Sequence, residues 1–147
     1  MPIFQGSGFT IELPDNCVDA SSYTFVLPEK NGLAANLTVR FEPAKNVPDL
    51  QAHVNASLDA LKDNVQDFKM LKQVAGKRGA HQGVMSDFEW GVGAARLRQR
   101  QYCVKTEGKK ARVYTLTATD LASNADQSAR VFNQMMKNFA PNQEQLF

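Results

Sequence analysis

The sequence has few of the residues from which catalytic and metal sites are built. It contains two histidines and two cysteines in 147 residues, and none of them has a partner at the spacing of a zinc or redox site. It also lacks a glycine-rich phosphate loop and a Gly-x-Ser-x-Gly nucleophile elbow. Surface or structural roles are therefore expected for His53 and His81. The sequence predicts a protein that is not an enzyme and that holds no metal or cofactor.

Long apolar runs and strong charge are missing as well. No segment reaches the roughly 20 apolar residues that a membrane-spanning helix needs. The net charge of +2 is too small to indicate nucleic-acid binding. The N-terminus has no basic stretch followed by an apolar run, which argues against a secretory signal, and Cys17 and Cys103 are then expected to be reduced thiols. We expect a cytoplasmic protein that neither binds nucleic acid nor inserts into a membrane.

What the sequence does contain is a series of short runs in which apolar and polar residues alternate. Such alternation is typical of half-buried strands. The turn-prone glycines of 76–79 and 91–94 separate the later runs from one another. The predicted strands are 9–13, 23–27, 36–41, 68–74, 84–92, 95–106 and 111–119.

Two segments show instead the three- and four-residue spacing of an amphipathic helix. The first is expected to begin at Pro48, which suits a first helical turn, and to end near Asn64. The second is expected to be capped by Ser123 and to stop at Pro141. Residues 142–147 would follow as a loose tail.

The order of these elements is β-β-β-α-β-β-β-β-α, which favours an α+β fold. No repeat, linker or low-complexity tract divides the chain, so we expect a single domain over residues 1–147. Its architecture would be a curved antiparallel sheet of about six or seven strands, with two helices packed on one face.

Acidic and basic side chains face each other across the longest predicted hairpin. If Gly93-Ala94 forms a two-residue turn, Glu89 lies opposite Arg98, and Asp87 lies opposite Arg100. Cross-strand pairs of this kind are structural and contribute about 0.2–1 kcal/mol each. The alternative is a small-ligand or anion-binding module. Its cationic residues would be Arg96, Arg98, Arg100 and Lys105.

Short uncharged polar residues dominate one side of several predicted strands. An ordinary solvent face would carry more lysine and glutamate, so this side is a candidate for binding a partner segment through hydroxyls and amides. The strand propensity of threonine is an equally good explanation of the pattern. The residues are Ser22, Thr24, Asn36, Thr38, Thr115 and Thr117, with Val113 beside the last two.

A set of short motifs in collinear order resembles the DcrB-related family, which shares the fold of PsbP-like proteins. The set covers nearly the whole chain, although each motif is short. The motifs are Glu12-Leu13-Pro14, Asp15, Asp19, Phe25-Val26-Leu27-Pro28, Phe68-Lys69, Asp87-Phe88-Glu89-Trp90, Arg100-Gln101 and Leu116-Thr117-Ala118-Thr119.

Within that family the chain is similar to the Eag-type chaperones of bacterial type VI secretion. The resemblance implies a homodimer that binds the apolar, transmembrane-type N-terminal segments of a secreted effector and helps load it on the secretion spike. It also implies that the client lies on one face of the sheet. The implied face consists of Ser22, Thr24, Asn36, Thr38, Gln101, Val113 and Thr115. Which face Gln101 occupies depends on the turn, and a two-residue turn puts it beside Trp90.

Overall fold

Eight strands and two helices form the fold over residues 1–30 and 32–141, which are the residues that this computed structural model describes. The predicted tail at 142–147 lies outside the described residues. The strands are β1 (Ile3–Gly6), β2 (Phe9–Glu12), β3 (Ser22–Val26), β4 (Asn36–Pro43), β5 (Lys69–Arg78), β6 (His81–Trp90), β7 (Leu97–Lys105) and β8 (Arg112–Leu121). The helices are α1 (Leu50–Asn64) and α2 (Ala125–Asn138).

Six of the strands form one antiparallel sheet in the order β3-β4-β8-β7-β6-β5. This confirms the predicted α+β fold and the predicted sheet of about six strands. The strand predicted at 9–13 is β2, and it pairs with β1 in a separate two-stranded hairpin. The sequence patterns did not predict β1, which is only four residues long.

The two helices pack against opposite faces of the sheet, so the prediction that both lie on one face is wrong. On β8, Leu116 packs with Phe132 of α2, whereas Val113 points the other way and packs with Val54 of α1. The physical reason is that β7 and β8 carry apolar side chains on both faces. Because alternate residues point to opposite sides, each face needs its own cover.

Each helix therefore closes its own hydrophobic core, and the two sides of the sheet are called here the α1 face and the α2 face. The α1 core contains Val47, Leu50, Val54, Leu58, Val84, Phe88, Cys103 and Val113. The α2 core contains Ala35, Leu37, Tyr102, Val104, Tyr114, Leu116, Ala118, Phe132 and Met136.

The element boundaries depart from prediction where local hydrogen bonding decides. The helix predicted from Pro48 begins at Leu50, because the side chain of Asp49 accepts a bond of 3.0 Å from the N–H of Ala52 and so acts as the N-cap. The second helix begins at Ala125, since Ser123 lies in a preceding 3₁₀ turn.

The turn predicted at 76–79 is shorter than expected. Strand β5 continues to Arg78, which pairs with His81. The connection is thus the two residues Gly79 and Ala80, and Gly79 adopts a positive φ of 61°, which glycine tolerates without strain.

Candidate functional site

Six uncharged polar residues form a row across the full width of the α1 face. The strand register pairs each one with the next, so each strand supplies one member of the row. Paired residues of antiparallel strands point to the same side. With roughly 4.8 Å between strands, the row is about 24 Å long. From β3 to β5 its members are Thr24, Thr38, Thr117, Gln101, Ser86 and Gln73.

Helix α1 covers the part of this row that lies on β5, β6 and β7. Ser86 is 1% exposed and Gln101 is 8% exposed. The amide of Gln73 donates to the Ser86 hydroxyl at 3.1 Å, and Gln51 of α1 donates to Gln73 at 3.0 Å. The thiol of Cys103 donates to Gln101 at 3.9 Å. These polar groups satisfy one another, as buried polar groups must, and they fix α1 to the sheet.

The remaining part of the α1 face, over β3, β4 and β8, has no helix on it and is called here the open polar face. Three successive cross-strand rows supply nine side chains, and Arg40 is the only one of the nine that is charged. All nine are exposed or half-buried. They are Ser22, Arg40 and Thr115, then Thr24, Thr38 and Thr117, then Val26, Asn36 and Thr119.

Hydrogen bonds order part of this surface. The hydroxyls of Thr24 and Thr38 lie 3.4 Å apart. At the border with the covered half, Gln99 donates to the Thr119 hydroxyl at 2.9 Å and accepts from the indole N–H of Trp90 at 2.7 Å. The hydroxyl groups keep acceptor capacity for a bound partner, because each has two lone pairs.

The structure places all seven residues of the implied client-binding face on the α1 face. Five of them belong to the open polar face. The other two are buried: Gln101 lies under α1, and Val113, at 1% exposure, is part of the α1 core. The turn prediction is confirmed in register, so Gln101 does share its face with Trp90.

Sequence reasoning did not assign Thr119 and Gln99 to this site. Thr119 is brought beside Asn36 by the pairing of β4 with β8, which joins segments about half the chain apart. The signal available in the sequence was the alternation Thr115, Thr117, Thr119 along one strand, which puts all three threonines on one side.

A cleft of about 340 Å³ opens where the open polar face meets α1. Arg40 and Thr115 line it from the sheet, and Ser57 lines it from the helix. At one side the imidazole Nε2 of His53 lies 3.4 Å from the carboxylate of Glu42. The volume is at the small end for a ligand pocket, so this cleft extends the open polar face rather than forming a separate cavity.

The cross-strand ion pairs predicted for the hairpin are present on the α2 face. Arg100 donates to both carboxylate oxygens of Asp87, at 2.6 and 2.8 Å, and also to Asn133. The hydrogen bond to Asp87 raises the pKa of Arg100, and burial partly opposes that rise. Glu89 binds Arg98 at 3.5 Å and Arg96 at 3.0 Å. The cations are thus neutralised within the hairpin.

The cationic patch of the alternative interpretation is not assembled. Lys105 lies on the α1 face, where its ammonium group donates to the backbone oxygens of Val47 at 2.9 Å and Pro48 at 3.4 Å. The cavity beside Arg98 and Arg100 is also lined by Asp87, Asp120 and Asp126. Three carboxylates against two guanidinium groups do not favour an anion.

Both cysteines are free thiols in different surroundings. Cys17 is exposed, and Cys103 is buried. Burial raises the pKa of the Cys103 thiol, while its hydrogen bond with Thr115, at 3.5 Å, acts in the opposite direction. A thiol held neutral beneath a helix is a poor nucleophile.

Two further features were checked in the part of the chain that the structure describes. No three side chains of His, Cys, Asp or Glu are grouped as metal ligands would be. Neither described helix has the length and apolar character needed to cross a bilayer.

The model of the DcrB family matches residues 9–138. No curated protein sequence matches the chain significantly. Similar solved structures include PA94 of Pseudomonas aeruginosa, a protein of unknown function suggested to be a regulator, at 21% identity and a TM-score of 0.76 over 97% of both chains.

Two more distant structures share the fold. LpqN of Mycobacterium tuberculosis, which is involved in cell envelope biogenesis, has 12% identity and a TM-score of 0.50 over 80% of this chain and 82% of its own. PsbP from the cyanobacterium Synechocystis has 9% identity and a TM-score of 0.53 over 89% and 98%. At these identities the likeness concerns the fold alone.

Proposed function

The chain belongs to the DcrB family, and from that premise we propose that it is a non-enzymatic chaperone which holds an apolar segment of a client on its open polar face. One observation carries the proposal. The strands β3, β4 and β8 are covered by apolar packing on one side and carry uncharged polar side chains without a covering helix on the other. A face that served only solubility would carry more charge.

The dimensions of the open polar face suit one helix. Three strands place its outer rows about 10 Å apart, which is close to the 10–12 Å diameter of an α-helix with its side chains. Threonine methyl groups would contact an apolar segment, and burial there contributes about 25 cal/mol per Å² of apolar area. The hydroxyls and amides would meet the polar groups of the client.

The finer role that we propose follows the family resemblance. The client would be the transmembrane-type N-terminal segments of a type VI secretion effector, shielded from water in the cytoplasm until the effector is loaded on the spike. The chaperone would act as a homodimer. The anion-binding alternative receives no support from the site, because its arginines are already paired with carboxylates.

Binding of a labelled apolar helix of about 20 residues tests the face directly, by fluorescence anisotropy. We expect Thr38→Asp to weaken binding at least about tenfold, because an unpaired carboxylate would be desolvated beneath the helix. The matched control is Thr10→Asp, which changes an exposed threonine on β2 and is expected to leave binding unchanged. Equal binding by folded Thr38→Asp and the control contradicts the proposal.

The client itself is identified by comparing three baits in the native bacterium. Tagged wild type and Thr10→Asp should recover the same large protein with apolar N-terminal segments, and Thr38→Asp should not. A partner recovered equally by all three does not bind the open polar face. Gln101→Asp is a poorer probe, because Gln101 is 8% exposed and a charge there would also destabilise the fold.

A further inference from the structure

The two edges of the six-stranded sheet differ in how they are protected. Strand β5 carries Lys69, Lys72 and Lys77, and its pairing is irregular between Met70 and Lys72. Charged residues and bulges are the usual devices that keep an edge strand from pairing with another chain. Strand β3, Ser22–Val26, has no charge and no proline, and its pairing with β4 is unbroken over all five residues.

Strand β3 is also exposed on both faces. Tyr23, Phe25 and Val26 are 57, 52 and 61% exposed, and the first two share the α2 face with Val39 and Leu37, their partners on β4. Of the twelve exposed large apolar residues in the described part of the chain, eight lie within residues 1–26. Apolar exposure is thus concentrated at the unprotected edge, as at interaction surfaces.

We infer that this edge binds a second copy of the chain, with β3 pairing antiparallel to β3 about a twofold axis through Thr24. An isologous interface requires a surface that complements itself. Centring on Thr24 pairs all five residues of the strand. It sets Tyr23 of one copy against Phe25 of the other, an aromatic pair on each side of the axis.

This arrangement has a consequence for the polar surface. A twofold axis perpendicular to the sheet keeps each face on its own side, so two six-stranded sheets become one of twelve strands. The rows that end at Thr24 then meet, and the two open polar faces lie side by side. Dimer formation requires no client, so its test is independent of the proposed function.

Light scattering after size exclusion measures the mass in solution. We expect the wild type to have twice the 16.3 kDa mass of one chain and Phe25→Lys to be a monomer, since it sets charge against the apolar edge. The matched control is Val74→Lys on β5, because Val74 has the same 52% exposure and also lies on the α2 face. A monomeric wild type, or a dimeric Phe25→Lys, overturns the inference.

Disulfide trapping tests the register without relying on a destabilising variant. In a Cys17→Ser background, Thr24→Cys places two thiols at the axis and is expected to give a covalent dimer under mild oxidation. Val26→Cys on the same strand is the control, because its two copies lie four residues apart, roughly 14 Å, beyond the reach of a disulfide. Cross-linking by Val26→Cys and not by Thr24→Cys refutes the register; absence of both refutes the edge.

Discussion

The same three strands build two surfaces of opposite character, one residue apart in register. On the α2 face, Phe25, Leu37 and Ala118 form a cross-strand row, and the last two are buried in the α2 core. On the other side, the row of Thr24, Thr38 and Thr117 has no helix above it. The comparison separates two tasks. The α2 face holds the strands together, and the open polar face is not needed for that packing.

Neighbouring residues on β8 give the largest expected contrast between the two surfaces. Leu116→Ala empties a position that is 1% exposed in the α2 core, so we expect the free energy of unfolding to fall by about 2–5 kcal/mol. Thr117→Ala changes a half-buried residue of the open polar face and should cost less than about 1 kcal/mol. Urea denaturation followed by circular dichroism measures both. Equal losses would show that the two faces contribute alike and break the comparison.

Ion pairs sharpen the comparison at smaller magnitude. Asp87→Asn on the α2 face removes the charge that Arg100 binds through two hydrogen bonds, and the Asp87 side chain is only 16% exposed. We expect a loss of about 1–3 kcal/mol. Glu42→Gln is the control on the α1 face. Its pair with His53 is 42 and 36% exposed, so the expected change is within about 0.5 kcal/mol. A larger effect for Glu42→Gln than for Asp87→Asn in urea titrations contradicts this ranking.

Thiol labelling resolves the covered and exposed parts of the chain with no expected effect on stability. In the native protein one thiol, Cys17, should react rapidly with a chromogenic disulfide reagent. Cys103 should react slowly, because it is buried under α1 with a raised pKa. Val54→Ala, which loosens α1 at a position 1% exposed, should speed only the slow phase. Two equally fast thiols would mean that α1 does not protect this part of the sheet.

Local signals were sufficient for much of this fold. The two helices and the strands of the six-stranded sheet follow from periodicity, within a few residues at their ends. The pairing of Asp87 with Arg100 and of Glu89 with Arg98 follows from Gly93-Ala94 alone, because a short turn fixes the register of its hairpin.

What the sequence patterns missed depends on distant parts of the chain. The periodicity of α1 and α2 identifies the apolar side of each helix but not the sheet face that receives it. The unbroken apolar run at Tyr102, Cys103 and Val104, all buried, was the available sign that both faces are covered. The open polar face also needed the pairing of Asn36 with Thr119, which no local turn encodes.

The pairing of β4 with β8 has a further consequence, in the time course of folding. The hairpins β3–β4, β5–β6, β6–β7 and β7–β8 each join neighbours in the chain, whereas β4 must wait for a strand that ends at Leu121. Contacts between distant segments are slow to form, and a chain emerging from the ribosome cannot complete this sheet until its last strand is made. Since the open polar face includes Thr38 of β4 and Thr117 of β8, it comes into being only at that final step, and the nascent chain has no binding face before it.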